Sequence, residues 1–320
     1  VSRVLVTGAG GFIGASLCRL LGDRGFDVVA GVRGEAGSVA THAVARIGNL
    51  DDMSVLSDAV AGVEYVVHLA ARAHIMSETS NDPLAEYRRT NVEGTRLVAR
   101  AAARAGVKRL VFLSSVKVNG ERTESAPFTE DDEPAPADPY GISKWEAEQA
   151  LGEIAAADGL ETVILRSPLV YGPGVRANFL KLLKLCDSAL PLPVASITGN
   201  RRSLIYLGNL NEAVHRALTH DAAAGRRYLV CDRDDVSTAE LVRRIRAALG
   251  RPARLIGVPP GCLDAGLTLA GKRAAADRLL GSLAVDDARI GIELGWTPPF
   301  TMSDGLAATV AWYRGNGNPP

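Results

Sequence analysis

The chain has 320 residues, 47% of them hydrophobic and 22% charged, and its 36 basic side chains balance 36 acidic ones. That length suits one large domain or two modest ones with a substantial core. A net charge of zero argues against a duplex-binding surface, which needs a basic excess to displace counterions.

No apolar run approaches the roughly 20 residues that span a bilayer. Residues 1–7 are too short for a secretory signal before a glycine motif begins. Cys18, Cys186, Cys231 and Cys262 stand far apart with no CxxC spacing. That pattern is expected of reduced thiols in a cytoplasm, not of a disulfide framework or a zinc site. The chain reads as soluble and cytoplasmic, with neither membrane nor nucleic acid as a partner.

Val4, Leu5 and Val6 stop at Thr7-Gly8, the pattern of a buried parallel strand. Residues 12–21 carry Ile13, Leu17, Leu20 and Leu21 at helical spacing. Strands are expected over 28–32, 43–47 and 64–69, with a helix over 53–60. A long helix follows over 83–104, then a strand over 110–113, a helix over 139–157 and a strand over 162–165. Strand alternating with helix implies an α/β fold, a doubly wound parallel sheet with helices on both faces. Past residue 166 the regularity loosens, and only 179–185 and 238–249 read as helices. We expect a first domain over 1–166 and a smaller lobe over 167–320, parts of which return to the sheet. Residues 121–138 read as an acidic loop and 315–320 as a frayed tail.

Thr7-Gly8-Ala9-Gly10-Gly11-Phe12-Ile13-Gly14 lies between the first strand and the first helix. Glycines at 8, 11 and 14 let a pyrophosphate approach the backbone and let helix and strand pack closely. The helix N-terminus then offers unpaired N–H groups to phosphate. The first domain is accordingly read as Rossmann-like and dinucleotide-binding. The end of the second strand usually carries an acidic residue for the adenosine ribose. Here Arg33 stands there, and a guanidinium pairs with a 2′-phosphate that a carboxylate repels. This favours NADP, with NAD possible; a surface arginine with its head in water is the alternative.

Tyr140 and Lys144 lie four apart near the start of a helix, so both project from one face. A phenol needs its pKa lowered from about 10 to exchange protons near neutrality, and a neighbouring ammonium does that. Ser115 ends a buried strand, and strand C-termini line the ligand crevice of a parallel sheet.

These motifs, in this order, resemble the extended short-chain dehydrogenase/reductase family. His68-Leu69-Ala70-Ala71, Asn91-Val92-Glu93-Gly94-Thr95, Arg166-x-Pro168-x-x-Tyr171-Gly172-Pro173-Gly174 and Leu294-Gly295-Trp296 extend the resemblance over nearly the whole chain. It implies hydride transfer at a sugar carbon. Tyr140 would be the acid and base on the sugar O4, Ser115 would share that hydrogen bond, and Lys144 would hold the nicotinamide ribose. The cofactor would also meet Gly8, Gly11, Phe12, Ile13, Gly14, Arg33, Asn49, Leu50, Leu69, Ala70, Ala71 and Asn91. A UDP-linked sugar would meet Lys117, Asn178, Arg202 and Arg278, an arginine fork being apt for a diphosphate. Surface ion pairs are the alternative for the two arginines.

Departures from the family pattern narrow the chemistry. Its 4,6-dehydratases carry Asp and Glu directly after the serine or threonine, where this chain has Val116 and Lys117. Leu283 matches a tyrosine that walls the sugar pocket in 4-epimerases, and leaves room for a 2-acetamido group. Asn49 replaces the acidic residue that meets adenine. The favoured expectation is a UDP-4-keto-6-deoxy-N-acetylhexosamine 4-reductase of surface-polysaccharide synthesis, with a UDP-hexose or UDP-N-acetylhexosamine 4-epimerase as alternative. A non-enzymatic NADP-sensing protein is remote, because Ser115, Tyr140 and Lys144 are all kept. The five histidines show no metal-binding spacing. His68 is expected to pack beside the cofactor, and His74 is a candidate substrate contact. By the same resemblance the helices around 91–104 and 140–157 would form a homodimer, Val92, Leu97, Val98 and Ala101–Ala103 giving one of them an apolar face; the alternative is that this face covers the sheet, alone or as well.

Overall fold

The structure is a computed structural model and describes residues 1–34, 43–73 and 80–315. His42, His74 and the tail beyond residue 315 lie outside the described residues. In chain order the strands are β1 (Arg3–Thr7), β2 (Asp27–Val32), β3 (Ala43–Arg46), β4 (Tyr65–His68), β5 (Arg109–Ser115), β6 (Glu161–Ser167), β7 (Leu169–Tyr171), β8 (Leu204–Tyr206) and β9 (Arg227–Leu229). Seven of them form one sheet in the order β3-β2-β1-β4-β5-β6-β9, parallel throughout. β7 and β8 pair as a separate parallel ribbon. The expected doubly wound sheet is present, and β9 enters it from the C-terminal half.

Period-two alternation decides which face each strand residue serves. Val4, Val6, Val28, Ala30 and Val67 point into one core with helices Phe12–Asp23 and Leu207–Thr219. Leu5, Val29, Val66, Leu110 and Phe112 point into the other, against Met53–Ala59, Gly94–Arg104 and Pro139–Asp158. Burying each such Val, Leu or Phe stabilises the fold by about 1.5–3 kcal/mol. A third core around Tyr171, Phe179, Leu183, Ile245 and Val310 builds the C-terminal lobe.

The helix expected over 83–104 is interrupted. Pro83–Tyr87 and Gly94–Arg104 are α-helical, but Arg88–Glu93 is a π turn that turns Asn91 inward. Such a widened turn leaves no mark in hydrophobic periodicity. Helices Leu207–Thr219, Pro260–Leu269, Arg273–Leu280, Ala288–Leu294 and Met302–Gly315 also stand where the sequence reads as irregular. The first begins directly after β8 and has no side-chain cap, so it carries no start signal.

The apolar face expected at a dimer contact is turned inward. Val98, Ala101 and Ala102 are buried against the sheet, while Arg88–Glu146 (2.5 Å) from the π turn and Arg96–Glu153 (3.1 Å) from helix Gly94–Arg104 reach helix Pro139–Asp158 outside. Among the described residues no helix is long and apolar enough to cross a membrane.

Candidate active site

The strand order reverses between β1 and β4, and the crevice opens at their C-terminal ends, where Thr7 and His68 pair in register. The glycine loop sits directly above. Gly8 has a φ of +72°, and a Cβ there would lie 2.9 Å from the Ala70 nitrogen. A Cβ on Gly14 would lie 2.3 Å from the Gly8 oxygen, and one on Gly11 3.1 Å from that same oxygen. Gly11 begins helix Phe12–Asp23 with no side-chain cap, so the first-turn N–H groups at Phe12, Ile13 and Gly14 face the crevice as donors. This is a cradle only glycine permits, and it suits a pyrophosphate. Arg33 is exposed just past β2. Asn49 is exposed in the loop after β3, and Leu50 beside it is buried, with its Cβ 3.1 Å from where one would stand on Gly94.

Leu69 and Ala70 donate their N–H groups to the Thr7 hydroxyl, both at 3.2 Å. Thr7 Oγ1 lies 2.6 Å from His68 Nδ1, and His68 Nε2 lies 3.0 Å from Thr95 Oγ1. Thr95 donates to the Asn91 carbonyl at 2.6 Å. With that proton committed, Thr95 accepts from Nε2–H, and Nδ1 accepts from Thr7. His68 is thus a neutral, fully buried link, and burial followed by the Lys144 charge lowers its pKa to about 3. Asn91 holds the chain after β4 by accepting from Arg72 N (2.7 Å) and donating to Arg72 O (3.1 Å), and it donates to Ser143 Oγ at 2.9 Å.

Ser115 ends β5, and Tyr140 and Lys144 lie on helix Pro139–Asp158, which Asp138 caps by accepting from Gly141 N at 2.6 Å. Ser115 and Tyr140 share a hydrogen bond that lowers the phenol pKa. Burial and, second, the Asp138 charge outweigh it and push Tyr140 up to about 12. The ammonium expected to lower the phenol lies 4.0 Å from the centroid of the Phe112 ring, and burial lowers its own pKa to about 7 against the pull of Glu148.

Beneath Lys144, Glu148 receives Arg166 in two bonds, at 2.9 and 2.7 Å, and the Ser114 hydroxyl at 2.5 Å. Neither side chain of that ion pair touches solvent. Arg166 also donates to Asn119 at 3.0 Å. This charged layer is absent from the sequence reading, although the i, i+4 step from Lys144 to Glu148 is visible there.

Arg202 and Arg278, 76 residues apart, come together: Arg202 Nη1 donates to the Arg278 carbonyl at 2.6 Å and to the Gly281 carbonyl at 3.1 Å. Burial first, and then the Arg278 charge, lower the Arg202 pKa, so an anion is welcome between them. Asn178 is exposed in the first turn of helix Ala177–Asp187. Leu283 packs with Val116, Phe128 and Val285 beside the end of β5. Lys117, expected at the substrate, has its ammonium on the Asp138 and Glu121 carboxylates.

A family model described as the NAD dependent epimerase/dehydratase family matches residues 4–231. The chain belongs to that family. It is 40% identical to the UDP-glucose 4-epimerase of Vibrio cholerae over 308 residues, 96% of this chain and 94% of that one. It also resembles the solved structure of MoeE5 in complex with UDP-glucose and NAD, at 27% identity and a TM-score of 0.78, over 98% of this chain and 99% of that one. The UDP-glucose 4-epimerase of Thermotoga maritima, solved with UDP-glucose, shares the fold at 22% identity and a TM-score of 0.81, over 98% and 99% of the two chains. As an epimerase/dehydratase family member the protein is an enzyme of the extended short-chain dehydrogenase/reductase type, in a family of NAD-dependent nucleotide-sugar enzymes.

Proposed function

We propose that the enzyme is a cytoplasmic 4-reductase of a UDP-linked 4-keto-6-deoxy-N-acetylhexosamine and that it draws on NADPH. The observation that carries this reading is Arg33, a guanidinium at the end of β2 where NAD-binding sheets place a carboxylate. Lys117 in the place of the dehydratase glutamate, and Leu283 in the place of a bulkier wall, support it further.

The glycine cradle and Asn91 would hold the cofactor, with Lys144 at its ribose. When bound, the dinucleotide supplies the hydride. Tyr140 gives its phenolic proton to the O4 oxygen as the C4 carbonyl becomes an alcohol, and regains a proton from solvent. Ser115 fixes the same oxygen, and Arg202 and Arg278 clamp the diphosphate. Burial and the Asp138 charge keep Tyr140 protonated at neutral pH, the form that can donate, while the Ser115 hydrogen bond works to bring its pKa back down. A homodimer through helices Gly94–Arg104 and Pro139–Asp158 is part of the reading, with a polar contact; light scattering of the purified protein tests it.

A second reading is favoured by the relative at 40% identity: a UDP-sugar 4-epimerase that keeps its NAD and recycles it. One experiment separates the two. Nucleotide released by denaturing the purified enzyme is identified by absorbance and mass. Enzyme that releases none, binds NADPH more tightly than NADH and reduces a UDP-4-keto-6-deoxy sugar supports the reductase. Stoichiometric NAD overturns it in favour of the epimerase. In either case Tyr140→Phe is expected to abolish turnover.

A further inference from the structure

Besides the direct Ser115–Tyr140 contact, Lys117 links the elements that carry the two residues. Its backbone N–H donates to Ser115 Oγ at 3.2 Å. Its carbonyl lies against the first turn of the Tyr140 helix, where a Cβ on Gly141 would approach the Lys117 oxygen to 2.9 Å. Its ammonium binds Asp138 Oδ2 and, at 3.0 Å, Glu121 Oε1. The other oxygen of Asp138 caps the helix at Gly141. One residue therefore links the strand end that carries Ser115 to the cap of the helix that carries Tyr140.

We propose that Lys117 is a positioning residue that screens Tyr140 from the charge of Asp138 while it anchors Ser115 to the start of the Tyr140 helix. The inference rests on the acid role proposed above for Tyr140. Asp138 is needed as a helix cap, but its carboxylate stands two residues from a phenol that must part with a proton. A cap worth about 1 kcal/mol is kept only if its charge is answered, and Lys117 answers it.

Among the described residues the charged and titratable surroundings of Tyr140 are few. Ser115 approaches from the end of β5, and Asp138 and Lys144 lie on or next to its own helix. Tyr87 lies across from it, ring centroids 6.1 Å apart, with the Arg72 guanidinium 5.4 Å from the Tyr87 ring. Facing Lys117 are Asp138 and Glu121; burial acts to lower its pKa, yet the two carboxylates hold it above the ordinary value. The ammonium is therefore present across the whole neutral range. It occupies the place of a dehydratase's glutamate, so a group that would move a proton is exchanged here for one that fixes where Tyr140 holds its own.

The test is the Tyr140 limb of kcat/KM against pH in the intact enzyme: the alkaline limb with NADPH and the keto sugar, where Tyr140 acts as an acid, or the acid limb with UDP-hexose if the enzyme is an epimerase, where it first acts as a base. Lys117→Met leaves the Asp138 charge unanswered and is expected to move the Tyr140 limb up by about one pH unit. Asp138→Asn keeps an oxygen for the cap, removes the charge and is expected to move the limb down by a similar amount. The double variant is expected to return close to the parent profile, and Lys117→Arg to keep it. Limbs that stay in place in all four variants, with kcat merely reduced, overturn the proposal and leave Lys117 a structural tie. An active Tyr140→Phe enzyme overturns the catalytic reading itself, whatever the limbs do. Circular dichroism and melting temperature of each variant show that the comparison is made between folded proteins.

Discussion

Gly14 stands so close to the Gly8 carbonyl that a Cβ at position 14 would lie 2.3 Å from its oxygen, nearer than any side chain can come. Gly14→Ala is therefore expected to force the loop off the helix, destabilise the fold by about 1–3 kcal/mol and weaken NAD(P) binding by at least about tenfold. Gly10 is the internal control, since a Cβ there meets only Val32 Cγ1, at 4.0 Å. Gly10→Ala should leave both unchanged. Thermal melts and a fluorescence titration with reduced cofactor measure the contrast, and equal behaviour of the two variants would contradict the cradle.

Arg33 sets the expected cofactor preference. Arg33→Asp should cost NADPH about 1.5–3 kcal/mol of binding, or about 10- to 150-fold in Kd, while NADH binding holds or improves. The measurement is the ratio of the two dissociation constants in parent and variant. A ratio that does not move makes Arg33 a solvated surface arginine.

Lys144 and His68 are both buried with lowered pKa values, about 7 and about 3. For a base lowered on folding, the unfolded chain binds the extra proton, so stability rises with pH between the folded and the unfolded value. For Lys144 that window runs from about 7 to 10.5, and for His68 from about 3 to 6.5. Lys144→Met should therefore abolish activity yet stabilise the protein at pH 7, by about 1–3 kcal/mol. The advantage should shrink as pH rises towards 10. Denaturant melts of parent and variant at pH 7 and 9.5 give the difference, in which other titrations cancel. Parent protein should also lose stability as pH falls from about 6.5 towards 3, because the unfolded chain takes up a proton there that the buried His68 refuses.

The Arg166–Glu148 pair carries the opposite expectation. Arg166→Met leaves the Glu148 carboxylate buried without its two-bond partner, with Ser114, the more distant Arg227 and the Lys144 charge remaining, and should cost about 3–5 kcal/mol. Arg166→Met combined with Glu148→Leu removes both charges and should recover most of that loss. Urea unfolding of the two variants decides it. A double variant as unstable as the single one would mean that the pair's shape matters more than its charge.

Much of the fold was legible because it is written in short range. Val4 to Val6, the glycine spacing and the alternation of strand with helix each follow from a few neighbouring residues. So does the Tyr140–Lys144 step. The π turn at Arg88–Glu93 was not legible, because Asn91 turns inward to meet Arg72 and Ser143, which lie 19 and 52 residues away. Helix Leu207–Thr219 was missed for lack of a cap, although its Leu210, Val214 and Leu218 keep the spacing.

The sequence by itself determined the family and the doubly wound sheet, and it singled out the glycine loop, Ser115, Tyr140 and Lys144 as the candidate site. Each depends on residue types at fixed local offsets, and local backbone geometry does the rest. Only the tertiary structure decided what those groups experience. Lys144 lies over Phe112 and answers to Glu148, Tyr140 is held up by burial and Asp138, and Lys117 is spent on two carboxylates. Arg202 and Arg278 meet across 76 residues of chain. Burial and through-space charge set a proton's affinity, and neither can be read until the chain has folded back on itself.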